Sequence, residues 1–196
     1  GTAPPGYVCL PAPPWQLRLL GAELAAPLAD GRLLDLGEAA HPVVPTSSVR
    51  TVYEPVIRKC LKFSLDVRIT NCVRKNAWYE LIGAVELTRR LAPVFAELAA
   101  AFPGTRWLPE PGYRSADLGV RLLEGLGVII REDPWAVTGA GVTPLLAGAL
   151  AVPGWAPERV AAARREDPTG WWDAYVARVA PPVLHAYLAH GVVLEP

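Results

Sequence analysis

Seven basic side chains crowd into one 29-residue stretch, Ser47 to Lys75: Arg50, Arg58, Lys59, Lys62, Arg68, Arg74 and Lys75. They are seven of the 19 Lys and Arg of a 196-residue chain whose formal net charge is zero. Only Glu54 and Asp66 oppose them locally. Ser48, Thr51 and Thr70 add hydroxyls among the cations. Such a set suits a polyphosphate. Arg forks onto two phosphate oxygens, Lys supplies a compact point charge, and hydroxyls fill the remaining acceptor positions. A plainer reading of the same residues is a solvated basic strand face with cross-strand ion pairs, such as Arg50 with Asp66. Charge pattern alone leaves the two side by side.

Composition narrows the partner. A neutral chain argues against a broad nucleic-acid footprint, so the local positive charge calls for a small anion. No apolar run reaches the ~18–20 residues of a membrane span, and the N-terminus "GTAPPGYVCLPAPPW" lacks the n-region and h-region of a signal peptide. Three cysteines without CxxC spacing suggest neither a disulfide framework nor a zinc site, and imply reduced thiols and a cytoplasmic protein. The chain is 52% hydrophobic and contains no Met, which leads us to expect a piece of a longer protein. His41, His185 and His190 form no metal pattern, and no metal ligand is assigned. His185 and His190, five apart on a helix, do not share a face well. There is no P-loop, HExxH or GxSxG. "TGAGVT" (138–143) reads as a loop. The tetrapeptide "REDP", at 131–134 and 165–168, reads as two ordinary helix-start or loop signals and not as a repeat.

The elements that must position the cluster follow from periodicity. The fold class is α+β: an antiparallel, palm-like sheet in the N-terminal third (1–75) followed by a mainly helical portion (76–196). "YVCLP" (7–11) is a strand candidate, and Pro14 opens a short helix over 14–24. Asp30-Gly31 marks a turn. "SVRTVY" (48–53) and "CLKFSLDVRIT" (60–70) alternate as strands. In the second, Lys62, Ser64, Asp66, Arg68 and Thr70 share the polar face. A short connection makes them a hairpin, and a turn centred near Ile57 puts Arg50 opposite Ser64. Asn76 is expected to cap a helix over 77–101, kinked or broken at Pro93. A loop or edge strand (106–113), a Ser115-capped helix (115–127) and a buried strand (127–132) follow. Helices over 142–151, 157–166 and 169–190 come next, with Gly191 as the last stop and "VVLE" as a strand.

The spacing Ser48-x-Arg50-Thr51, then Lys62, then Thr70-x-x-x-Arg74 resembles the nucleotide-binding core of the NRPS-independent siderophore synthetases, the aerobactin-synthetase-like IucA/IucC family. "PAPPWQ" (11–16), "LGVIIREDP" (126–134) and "PPVLHAYLAHGVVLEP" (181–196) look, in order, like the family's P-x-HPWQ, its L-G-hydrophobic-hydrophobic-R-E-x-P segment and the lead into its H-x-Q-N motif. The resemblance therefore spans the chain. It implies an enzyme of iron acquisition, an ATP-dependent ligase with Mg2+ that adenylates citrate or a similar carboxylate and condenses it with an amine or hydroxylamine. It also admits a homodimer. By carry-over, Ser48, Arg50, Thr51, Lys62 and Arg74 would bind ATP, Thr70 and Arg74 the carboxylate, with Arg74 and Lys62 catalytic. The alternative is a non-catalytic or degenerate helical interaction module whose basic hairpin is only solvated.

Three departures bear on this. Pro13 stands where the family usually has His. The chain stops before H-x-Q-N, so it looks like the central part of a larger synthetase and is expected to be inactive alone. Finally, Lys62 and Thr70 lie about 26 Å apart on a straight strand. We therefore predict a twist or bulge near Asp66 that folds the strand toward one ligand.

Overall fold

The computed structural model describes residues 3–139, 141–152 and 154–194. In chain order the elements are α1 (Pro14–Leu19), α2 (Gly21–Ala29), β1 (Val44–Pro45), β2 (Thr51–Glu54), β3 (Lys59–Phe63), β4 (Leu65–Ile69), β5 (Cys72–Arg74), α3 (Trp78–Ala101), β6 (Gly112–Arg114), α4 (Val120–Gly125), β7 (Val128–Arg131), α5 (Pro134–Thr138), a 3-10 turn (Ala147–Leu150), α6 (Glu158–Glu166) and α7 (Pro168–His190). The α+β class holds. The chain falls into two compact units, residues 1–89 with 109–133 and residues 90–108 with 134–196. The first unit draws on both sides of residue 75, because β7 enters the sheet as an inner strand beside β3.

In that first unit one antiparallel sheet runs in the order β1-β2-β3-β7-β6. Val128 and Ile129 of β7 are buried, as are Cys60 and Leu61 of β3. Thr51 pairs with Lys62 and Glu54 with Lys59, so Arg50 falls opposite Phe63, one residue from the expected register. The cause is the four-residue connection 55–58, which turns about Val56 and Ile57 and ends in Arg58 at φ 53°. Strand β2 also starts later than the alternation suggests. Residues 46–50 turn the chain back from β1, with the Thr46 N–H donating to the Thr51 carbonyl at 3.3 Å.

The long alternating segment 60–70 is two strands in two sheets. Ser64 ends β3: its N–H donates to Gly127 at 3.0 Å, continuing the ladder toward β7, and its hydroxyl donates to the Glu124 carbonyl. After it, β4 pairs only with β5. There Leu65 faces Arg74 and Arg68 faces Val73, so Asp66 and Val67 form the predicted bulge. Gln16 of α1 holds the bulge, accepting the Asp66 N–H at 2.8 Å.

Other expectations shift for local reasons. Residues 7–11 form no strand, and the Cys9 carbonyl accepts instead from the Arg114 guanidinium at 2.9 Å. The first helix starts at Pro14 as expected, but re-forms after Leu20 and runs to Ala29. Leu20 and Leu24 pack there with Leu122 and Leu126 as a buried cluster. Ser115 does not cap α4, because its hydroxyl is spent on the Leu123 carbonyl and Gly119 precedes the helix. Helix α3 runs unbroken through Pro93. Of 142–151 only Ala147–Leu150 is helical. Both "REDP" copies do start helices, with Asp167 accepting from the Gly170 N–H at 2.9 Å. Gly191 stops α7 at φ 65°. Residues 192–194 are not a strand, and Glu195 lies outside the described residues.

In the second unit, Phe95 stacks on Trp107 with ring centroids 4.2 Å apart, and Leu98 and Ala186 are fully buried. Among the described residues no helix is long and apolar enough to cross a membrane.

Gly127 carries a sharp test of the first unit's packing. A Cβ there would stand 2.8 Å from Leu81 Cδ1 and 3.3 Å from the Glu124 carbonyl, so the buried Leu81 side chain would have to shift. Gly127→Ala should therefore lower stability by about 1–3 kcal/mol. Gly83, inside α3 with open space around it, gives the control. Gly83→Ala should raise stability by up to about 1 kcal/mol through helix propensity. Urea denaturation reads both signs.

Candidate functional site

The site begins with a strand residue that the helix covers. Lys62 lies opposite Thr51 on β2 and Ile129 on β7, and Arg131 lies opposite Cys60. Facing residues share a side of the sheet, and so do alternate residues along a strand, so Lys62 and Arg131 point the same way. The N-terminal half of α3 crosses that face. Between sheet and helix lies a recess of about 360 Å3 whose polar wall is Arg50, Lys62, Asn76, Tyr79, Glu80 and Glu110. Its size is that of a small-molecule site. A recess of about 370 Å3 in the second unit has Arg178 as its one charged lining residue and lacks such a set.

Arg50 is fixed by its Nη1 alone, which donates to Asn76 Oδ1 at 2.6 Å, to the Arg74 carbonyl at 3.0 Å and to the Phe63 carbonyl at 3.5 Å. Among the described residues the other edge of the fork makes no hydrogen bond. Asn76 holds it from a buried position. Its amide donates to the Lys62 and Gly127 carbonyls, each at 3.1 Å, and its own N–H donates to Ser64 Oγ at 2.9 Å. Asn76 is thus a hub joining β3, β7 and the Arg50 turn, and not the expected helix cap. The cap is made elsewhere: Glu80 accepts the Ala77 N–H at 2.7 Å, and Glu124 accepts the Trp78 N–H at 3.2 Å. Lys75 pairs with the same Glu124.

Glu110 balances the cations. Its Oε1 accepts from Arg131 Nη2 at 2.7 Å and lies 3.8 Å from Lys62 Nζ, and its N–H donates to Thr88 Oγ1 at 2.9 Å. Burial pushes the Lys62 ammonium below the ordinary lysine value; Glu110 pulls it back up, while Arg50 and Arg131 press it further down. Burial likewise lowers the Arg50 guanidinium, opposed by Glu80 and assisted by Arg74. Two desolvated like charges therefore share one recess, and an anion entering it relieves both.

Of the residues expected from sequence, Arg50 and Lys62 meet in the recess. Thr51 and Ser48 do not line it: Thr51 is buried and donates to Ser48 Oγ at 3.3 Å, so the pair shapes the turn that carries Arg50. Arg74 approaches Arg50 through its carbonyl, and its charge is felt there. Thr70 is not brought in. It sits exposed at the β4–β5 tip with φ 56°, its hydroxyl bonded to the Ile69 carbonyl at 2.6 Å. The hairpin returns Arg74 opposite Leu65, three residues beyond Lys62, and leaves Thr70 at its tip. Glu110, Arg131, Glu80 and Tyr79 were missed. Only Arg131 had a signal, inside "LGVIIREDP".

Comparison with known proteins bears on this geometry. The IucA / IucC family model matches residues 1–152. The rhizobactin siderophore biosynthesis protein RhbC of Rhizobium meliloti (strain 1021) is 33% identical over 96% of this chain and 35% of its own length. The spermidine-citrate ligase of Bacillus anthracis is 30% identical over 86% of this chain and 30% of its own. The solved structure of ATP-bound aerobactin synthetase IucA from a hypervirulent pathotype of Klebsiella pneumoniae superimposes with a TM-score of 0.66 at 31% identity, covering 89% of this chain and 34% of that one. The chain thus spans about a third of the length of the curated relatives it matches.

Proposed function

Since the chain belongs to the IucA/IucC family, we propose that it forms the nucleotide-binding part of an ATP-dependent, cytoplasmic ligase of siderophore biosynthesis, joining citrate or a similar carboxylate to an amine or hydroxylamine. The observation that carries this reading is the pairing of desolvated Arg50 and Lys62 in one recess, at the Arg of Ser48-x-Arg50-Thr51 and at the following Lys.

The residues present fit a triphosphate. Arg50 offers the open edge of its fork, Lys62 a point charge, and the Ser48–Thr51 turn its hydroxyls and amides. Arg74, next to Arg50, is the cation we assign to the meeting of phosphate and carboxylate. The carboxylate oxygen attacks the α-phosphorus, pyrophosphate leaves, and the amine then displaces AMP to form the amide. Both early reactants are anions, so clustered cations offset their repulsion and the charge that develops on pyrophosphate. Glu80 and Glu110 supply the carboxylate oxygens that a hard cation such as Mg2+ prefers, and Mg2+ would neutralise phosphate charge there. Against the alternative of a merely solvated basic hairpin stands the part-buried state of Lys62, whose side chain is 27% exposed.

Calorimetric titration with Mg·ATP should show saturable binding to this chain. Binding should weaken as pH rises through the lowered Lys62 range, before an ordinary lysine would titrate, because the ammonium loses its charge as pH climbs past its folded value. No binding, or binding indifferent to that pH range, would sink the proposal. Pyrophosphate release, assayed with citrate and a panel of amines in the protein that carries this chain, tests the reaction itself.

A further inference from the structure

The second unit holds a side-chain cluster that this ligase chemistry does not use. Glu97 stands near the end of α3, and His185 and His190 near the end of α7. His185 Nε2 lies 3.0 Å and His190 Nε2 3.2 Å from the same oxygen, Glu97 Oε1. One ligand atom from each residue lies within 4.8 Å of the others. We propose that Glu97, His185 and His190 form a binding site for a divalent first-row transition ion, with Zn2+ as its representative.

Three observations support it. Ligands bonded at about 2.0–2.1 Å to one tetrahedral ion stand about 3.3 Å apart. The two His–Glu separations are already of that size, so small movements admit an ion where a proton now joins imidazole and carboxylate. Two imidazole nitrogens and one carboxylate oxygen suit zinc, cobalt, nickel or copper, whereas magnesium and calcium prefer oxygen throughout. Access and rigidity are also in place. The three side chains are 52%, 36% and 23% exposed, and the Phe102 ring lies edge-on to His185 at 5.5 Å, restricting that imidazole. Three protein ligands leave a fourth position for water or an exchangeable group. Bound there, the ion ties α3 to residues 88 and 93 positions further along the chain.

Helical spacing hides the site. Five residues on an α-helix are about 140° apart, so His185 and His190 look divergent. Glu97 comes from another helix and lies between them, and His190 is the last residue before the Gly191 stop.

Calorimetry of the 196-residue chain with Zn2+ should give one saturable site, with no matching heat from Mg2+, and Zn2+ should raise the melting temperature by mass action. His185→Ala, His190→Ala and Glu97→Gln should each weaken Zn2+ binding by more than about tenfold, the size that losses in outer-shell partners already reach. Glu97→Gln keeps shape and hydrogen bonding, so it reports ligation should either histidine variant fold poorly. Cobalt should give a tetrahedral visible spectrum without a thiolate charge-transfer band. The site is overturned by absent Zn2+ binding, by equal affinity in all three variants, by equal affinity for Mg2+, or by a thiolate band pointing to the cysteines.

Discussion

Lys62→Met should abolish Mg·ATP binding, lowering affinity by a hundredfold or more, on the order of 3 kcal/mol, while leaving the chain as stable as before or slightly more so. The two effects have opposite signs for one reason. In the unliganded protein Lys62 is part-buried beside Arg50 and Arg131, with Glu110 at 3.8 Å as a distant counterion. A desolvated cation so placed contributes little to folding, and an apolar side chain of similar length replaces it at no cost or a gain. Once a triphosphate enters, the same ammonium meets charge at close range in a partly dry recess, where the interaction is strongest. Thermal unfolding with and without Mg·ATP separates the two. Wild type should be stabilised by nucleotide and Lys62→Met should not be, although both melt alike without it. If Lys62→Met melts several degrees lower without ligand, Lys62 is a structural ion-pair residue and the recess loses its main claim to function.

Asn76→Leu should cost the fold about 2–4 kcal/mol, a fall of roughly 5–15 °C in melting temperature for a chain of this size. Asn76 is buried, and four bonds converge on it: Arg50 Nη1, the Lys62 and Gly127 carbonyls, and Ser64 Oγ. Leucine has the same branching at Cγ but is bulkier, and it removes three of them, leaving carbonyls in a low-dielectric interior with one partner fewer. Asn76→Asp provides a second comparison. It preserves shape and keeps the bond to Arg50, yet sets a carboxylate against the two carbonyls that the amide once served. It should destabilise least at low pH, where the carboxyl is protonated and can donate to one of them. A loss under about 0.5 kcal/mol in Asn76→Leu would mean that Arg50 is placed by its bonds to the Arg74 and Phe63 carbonyls alone. Nucleotide affinity should fall in Asn76→Leu, which loses the bond that aims the Arg50 fork, and should fall less in Asn76→Asp, which keeps it.

Much of the sheet was legible because it rests on local rules. Alternation over 60–70 marked strands, Pro14 marked a helix start, and Gly191 marked a stop. A bulge near Asp66 was expected so that Lys62 and Thr70, eight residues apart, could serve one ligand; the bulge is there at Asp66 and Val67, but Thr70 stays at the hairpin tip. Where the expectations slipped, a distant partner had claimed a local group. The Ser115 hydroxyl, a fit helix cap, went to Leu123, and the Asn76 amide, another, went to three remote groups. The register missed by one because a connection of four residues and one of five look alike in sequence, although they place opposite side chains on the shared face.

What the sequence by itself determined was the set of charges and their spacing along the chain, Ser48, Arg50, Thr51, Lys62 and Arg74 among them, and through that spacing a family resemblance that implies a nucleotide. The tertiary structure alone decided which of them act together. It part-buried Lys62 under α3, turned Arg50 onto Asn76, brought Glu110 and Arg131 in from 48 and 69 residues beyond Lys62, and left Thr70 at an exposed tip. The physical reason is that charge and periodicity are properties of neighbours in the chain. Desolvation and the pairing of charges depend on neighbours in space, and β7, inserted between β3 and β6, chooses those.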